Sequence, residues 1–221
     1  IMRGCELGPK AITALSSSLA TAGVAVVDIL ANPIGEDGFK TLIELFESTP
    51  RIQSMCGVQH GTKAADFSKR GLKPIDIKII AHELGSSRSM AGVTRVDVLG
   101  NPMGDSVKLL IDIFLKTERI RTMCGIAEGT VKLDLSKRNM DPSNVRLLAV
   151  ELESMRATAG VARVDISKNP IGVEGAQALA SALPKSSIRS LVIGSKSTEL
   201  TPTPSVDLSK QSLGPADIIV V

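Results

Sequence analysis

The chain contains no tryptophan and no tyrosine, and only four phenylalanines in 221 residues. Proteins that grip single-stranded nucleic acid stack bases on aromatic rings, and that material is missing here. Charge of one sign is lacking too: 26 Lys and Arg stand against 23 Asp and Glu, a formal net charge of +3. No basic stripe marks a phosphate-binding face, so nucleic acid is not an expected partner. There is no apolar run long enough to span a bilayer and no amphipathic basic helix, so direct membrane insertion is not expected.

Histidine and cysteine are equally sparse. His60 and His82 are the only histidines, and Glu128 and Val150 stand at their equivalents in the next repeat. A catalytic dyad or metal site needs partners that the sequence does not supply. Cys5, Cys56 and Cys124 form no CxxC pair, so no zinc site is expected. Cys56 and Cys124 are equivalent points two units apart. Stacked strands separate such points by ~10 Å, too far for a disulfide. The cysteines read as buried structural thiols in a reducing, cytoplasmic setting. No glycosylation sequon, secretion signal, phosphate-binding loop, dinucleotide fingerprint, zincin motif or nucleophile elbow occurs. The expectation is a non-enzyme with no cofactor, no metal and no small-molecule substrate.

What the chain has is self-similarity. Val27-Asp-Ile-Leu-Ala-Asn-Pro-Ile-Gly35 returns as Val96-Asp-Val-Leu-Gly-Asn-Pro-Met-Gly104 and as Val164-Asp-Ile-Ser-Lys-Asn-Pro-Ile-Gly172. A second motif alternates with it: Ala65-Asp-Phe-Ser-Lys-Arg-Gly-Leu-Lys-Pro74, then Leu133 to Pro142, then Val206 to Pro215. Asp28, Asp66, Asp97, Asp134, Asp165 and Asp207 mark six units, and the steps between them alternate long and short. One long unit and one short unit together make the true repeat.

Each unit has a physical reading. Val27 and Ile29 alternate at period two, so both point to one face of a short strand and Asp28 to the other. Asn32 leaves the strand with an amide able to satisfy backbone groups of neighbouring turns, and Pro33 ends it. Helical period follows. Ile77, Ile80, Ala81 and Leu84 make a buried stripe, repeated as Val145, Leu148, Ala149 and Leu152 and as Ile12, Leu15, Ser16 and Leu19. Pro74 and Pro142 suit the first turn of those helices. In the other unit type the helix carries Phe39, Leu42, Ile43 and Phe46, opened by Glu36 and Asp37. Gly23, Gly92 and Gly160 stand between helix and next strand, where a left-handed residue is useful.

The spacing Leu-x-x-Leu-x-Leu-x-x-Asn-x-Leu, filled here by Val24, Val27, Ile29, Asn32 and Ile34 and their copies, resembles the ribonuclease-inhibitor-like leucine-rich repeats. The resemblance covers nearly the whole chain. It implies an α/β solenoid, a curved horseshoe with a parallel β-sheet on the concave side and α-helices on the convex side. One domain over residues 1–221, of about six to seven strand–helix units, is expected. Arg70, Arg138 and Gln211 depart from the pattern where its asparagine should stand. The connector Cys56-Gly-Val-Gln-His-Gly-Thr62 is longer than the family norm. The chain starts inside a strand motif and stops inside a helical one, so an excerpt of a longer chain is expected. Ser195 to Ser205, rich in Ser, Thr and Pro, reads as an exposed loop.

The six aspartates are expected on the concave face, one per strand. Such a column repels itself. Arg95, Lys132 and Arg163, two residues earlier on the same face, offset it, and Lys69, Lys137, Lys168 and Lys210 form a second column beyond the strands. These residues together are the candidate protein-binding surface. The expected function is a protein–protein interaction scaffold, in the manner of a structural subunit of a large assembly. The alternative drawn from the family is a regulatory module, such as a small-GTPase activator or an actin-filament cap.

Overall fold

The computed structural model describes residues 2–201 and 214–220. Asp207, Lys210 and Gln211 lie outside the described residues, as does most of the third copy of the second motif. The described chain is mixed α/β, with small sheets and no closed barrel. Its helices are α1 (Pro9–Thr21), α2 (Gly35–Ser48), α3 (Pro74–Gly85), α4 (Val107–Lys116), α5 (Pro142–Ser154), α6 (Gly172–Ala182) and α7 (Pro215–Val220). Its strands are β1 (Ala64–Asp66), β2 (Arg95–Asp97), β3 (Lys132–Asp134), β4 (Arg163–Asp165), β5 (Ser190–Ile193) and β6 (Thr198–Leu200).

The helices form where the stripes run. Ile77, Ile80, Ala81 and Leu84 of α3 are buried, as are Val145, Leu148, Ala149 and Leu152 of α5. Pro74 and Pro142 occupy the first turns of those helices. Glu36 and Asp37 lie in the first turn of α2, next to its positive end. The strands β1 to β4 bury their middle residues, so Ala65, Val96, Leu133 and Val164 enter one continuous core.

The three asparagines repeat one role. Asn101 Oδ1 accepts from Arg70 N at 3.1 Å and Leu72 N at 2.9 Å, while its Nδ2 donates to Phe67 O and Val98 O. Asn32 makes the same set with Cys5, Leu7, Met2 and Ile29, and Asn169 with Arg138, Met140, Leu135 and Ile166. Each amide thus joins the turn of its own unit to the turn of the unit before. It satisfies two carbonyls and two N–H groups that would otherwise be stranded in the interior. The second motif needs no asparagine because its turn is already served by the one that follows.

The strands fall into three ladders, each built on three parallel rungs. Residues 2–4 bond to 28–30, and 27–29 to 54–55, through Met2 N to Asp28 O, Val27 N to Ser54 O and Ile29 N to Met55 O. β1 pairs in parallel with β2, which bonds onward through Val96 N to Thr122 O and Val98 N to Met123 O. β3, β4 and β5 are parallel neighbours, and β6 adds to β5 antiparallel. Between ladders, no strand pairing joins 54–56 to β1 or 122–124 to β3 among the described residues.

Four expectations change. The long steps between aspartates each hide a third rung without an aspartate, at 54–56, 122–124 and β5. Of the expected loop from Ser195 to Ser205, residues 195–201 are not simply a loop, since β6 lies within them, and 202–205 lie outside the described residues. Gly23, Gly92 and Gly160 are not left-handed; the rungs end instead in left-handed residues such as Gly57, Gly100, Gly125, Lys69 and Lys137. Gly100 has a second reason to lack a side chain, because a Cβ there would meet Arg138 O at 2.6 Å. Finally, Cys5 is exposed, unlike the buried Cys56 and Cys124.

Candidate interaction surface

The register of the ladders decides which predicted site residues meet. Asp66 lies opposite Asp97, and Asp134 opposite Asp165. Asp28 and Asp97 face Cys56 and Cys124 on their other side. Four of the aspartates therefore form two pairs, separated by a cysteine-bearing rung and a break, Asp28 stands without an aspartate opposite it among the described residues, and no single column forms. Repulsion within a pair is relieved locally. Arg138 Nη2 donates to Asp97 Oδ2 at 2.8 Å, both half-buried, and Arg3 stands 3.8 Å from Asp28. Asp134 carries its own relief: Ser136 donates through N–H and hydroxyl and holds its carboxyl below the usual range.

The predicted basic residues are less engaged. Arg95, Lys132, Lys137 and Lys168 are exposed and take part in none of the ion pairs among the described residues. Lys69 Nζ lies 3.4 Å from Lys137 O, in the next ladder. Arg163 is the exception, paired with Glu199 at 3.0 Å. His82 pairs with Glu47 at 2.8 Å and sets its ring edgewise to Phe46 at 5.7 Å, a packing role on α3. His60 is exposed in its connector.

What closes each ladder escaped the sequence reading. Among the described residues, rung 54–56 has no strand on its far side. The carboxylate of Glu83, from α3 of the following block, stands there instead. Its Oε2 accepts from Ser54 Oγ at 2.8 Å and its Oε1 from Met55 N. Ser54 Oγ in turn accepts from Cys56 N and Val58 N, both at 3.1 Å. The arrangement returns in the next repeat: Glu151 accepts from Thr122 Oγ1 at 2.7 Å, Cys124 N at 3.0 Å and Met123 N. Both carboxylates are only 1 % exposed. Burial pushes each carboxyl up to about 7, against the hydrogen bonds of Met55, Ser54, Met123 and Thr122, which pull downward. The same burial and the adjacent glutamates hold the Cys56 and Cys124 thiols well above their ordinary range, so they are unreactive.

Two arginines complete these boundaries. Arg88 donates to Ile52 O at 2.9 Å and to Phe46 O, with its guanidinium 3.8 Å from the Phe46 ring centre. Arg156 does the same for Phe114 O, Thr117 O and Ile120 O, 4.5 Å from the Phe114 ring centre. Each reaches back to carbonyls in and just after the preceding helix, which no intrahelical donor serves. A signal for all four residues was present in the sequence, since Glu83 and Arg88 return as Glu151 and Arg156 at the same places in the next repeat.

Among the described residues no group of three or more His, Cys, Asp or Glu is arranged to hold a metal ion. None of the described helices is long and apolar enough to cross a membrane. The chain matches no family model, and comparison with curated proteins finds no match.

Proposed function

We propose that the chain is a non-catalytic protein–protein interaction scaffold built as a leucine-rich-repeat solenoid, with the outward strand face as its concave binding surface. The observation that carries this reading is a division of labour within the repeat. The interior asparagines, glutamates and arginines recur with the same partners. Arg95, Lys132, Lys137 and Lys168, by contrast, are exposed and without ion-pair partners among the described residues. Repeat arrays of this kind present extended surfaces for protein partners. The free thiols, one of them exposed, fit a reducing intracellular compartment.

The test is affinity capture from native lysate with quantification of bound proteins, comparing the wild type with K132E/K137E/K168E. These side chains are exposed, so the variant should keep its thermal unfolding midpoint while losing the captured partner. Equal capture by both proteins would overturn this surface as the binding site. Capture of actin or a small GTPase alone would turn the reading towards a regulatory module.

A further inference from the structure

At the second ladder boundary a cleft of about 320 Å³ opens beside β2 and the rung at 122–124. Four cationic residues line it: Arg156 is committed to the carbonyls of Phe114, Thr117 and Ile120, which leaves Lys63, Arg95 and Arg121 from neighbouring chain segments. Backbone bonds hold their roots together. Thr94 N and Arg95 N donate to Lys63 O at 2.9 and 3.1 Å, and Arg121 N donates to Thr94 O at 2.7 Å. All three residues are exposed, and none forms an ion pair among the described residues. Arg121 spends one nitrogen on Arg156 O at 2.6 Å. Glu128, itself exposed, is the only carboxylate in the lining among the described residues. Like charges on adjacent rungs destabilise a sheet, and an anion placed between them removes that cost.

The third ladder shows what satisfies the equivalent of Arg95. Arg163 and Arg189 stand one repeat after Arg95 and Arg121, and Ser190 one repeat after Thr122. There the extended strand β6 brings in Glu199, whose Oε1 accepts from Arg163 Nε at 3.0 Å and from Ser190 Oγ. These bonds hold the Glu199 carboxyl below its ordinary range. The first boundary has Val26 and Gln53 at the positions of Arg95 and Arg121, and so no cation at either. Among the described residues, only the second boundary keeps the cations without a carboxylate of its own chain on Arg95.

We infer that the cleft at Lys63, Arg95 and Arg121 is a docking site for an extended acidic segment of a partner protein, with a partner carboxylate on Arg95 as Glu199 sits on Arg163. The inference rests on the scaffold reading and names the chemistry of the partner. A free small anion, such as phosphate, shares the charge but not the extended backbone.

The probe is a synthetic peptide alternating Thr and Glu over eight residues, titrated into the isotopically labelled protein and followed by amide chemical shifts. A Thr/Gln peptide and inorganic phosphate serve as comparisons. The expected result is saturable binding of the Glu peptide, with shifts at Arg95, Arg121 and Gly129, and no binding of the Gln peptide. R95V/R121Q, which installs the residues of the first boundary, should weaken binding ~tenfold or more, as loss of charge-assisted contacts does. Its unfolding midpoint should not move. Undiminished peptide binding by R95V/R121Q, equal binding of the Gln peptide, or phosphate shifting the same amides while the Glu peptide shifts none would each overturn the site. Peptide binding without any partner captured from lysate would sink the scaffold reading and leave the site standing. Partner capture without peptide binding would do the reverse.

Discussion

The rungs at 54–56 and 122–124 and the strand β5 occupy equivalent places in their ladders, yet their far edges are closed in different ways. At the first two, a buried glutamate from the next helix accepts the edge N–H and the hydroxyl of Ser54 or Thr122. At the third, strand β6 pairs antiparallel, aligning Leu191 with Leu200, Val192 with Glu199 and Ile193 with Thr198. An unpaired strand edge must find partners wherever water is excluded. A carboxylate does this with one side chain, but it must surrender its hydration, and the raised carboxyls of Glu83 and Glu151 record that cost. A strand does it with neutral peptide groups and leaves its charged residue, Glu199, at the surface. The glutamate solution also ties each block to the next, because the helix that supplies it belongs to the following repeat.

The largest way to break this contrast is Glu151→Ala. Thr122 Oγ1, Met123 N and Cys124 N then lose a buried acceptor. Unfolding in urea should show a loss of about 3 kcal/mol, given that stranded buried donors cost ~1–3 kcal/mol each and removal of the charge returns part of that. A loss below ~1 kcal/mol would mean that the glutamate does not close the edge.

Acidity sharpens the contrast. The folded-state values near 7 for Glu83 and Glu151 exceed the ordinary 4.5, so the unfolded chain releases these protons first. Their contribution is fully present below about pH 4.5 and is lost as pH rises through about 7. Linkage converts a shift of this size into ~3 kcal/mol per carboxylate. Glu199 has the opposite sign, because its carboxyl is lowered: its contribution is present at neutral pH and lost as pH falls through its folded value. Urea titrations from about pH 4 to 8 should show a downward slope that flattens in E83Q/E151Q. An unchanged slope in that variant would assign the pH dependence to other groups.

The smallest effect is expected at the third edge. Glu199→Gln removes a surface ion pair with Arg163 and should cost only ~0.5 kcal/mol, as exposed pairs do. Amide exchange along β5 and β6 should rise slightly while the global unfolding midpoint stays put. A loss as large as that of Glu151→Ala would erase the distinction between the two kinds of edge.

Much of this was legible in the residues, and the remainder failed for identifiable reasons. The helical stripes and the reach of Asn32, Asn101 and Asn169 into neighbouring turns follow from period and chemistry, and the structure has both. The third rung was missed because Ser54-Met-Cys56 carries no aspartate and only a few backbone bonds mark it as a strand. β6 was missed because Ser, Thr and Pro around it read as a turn, while the alternation of Thr198, Glu199 and Leu200 is too short to stand out. The glycines between helix and strand were assigned a left-handed turn that the chain makes after each strand instead. For the candidate site, the outward basic residues were named from the pattern. Their distance from acidic side chains and the cleft at Lys63, Arg95 and Arg121 were not.

The sequence by itself determined the two-unit period, the alternation of short strands with amphipathic helices, and the interior asparagines, because each depends on spacing within one unit. Only the tertiary structure decided where the ladders break and what closes them. It also decided which aspartates face each other and which cations stand apart from the carboxylates of the described residues. Those outcomes depend on groups far apart in the chain being brought within hydrogen-bond reach, as Glu83 is to Met55 and Glu199 to Arg163. No local pattern encodes such distances, since they are set by how one packed block rests on the next.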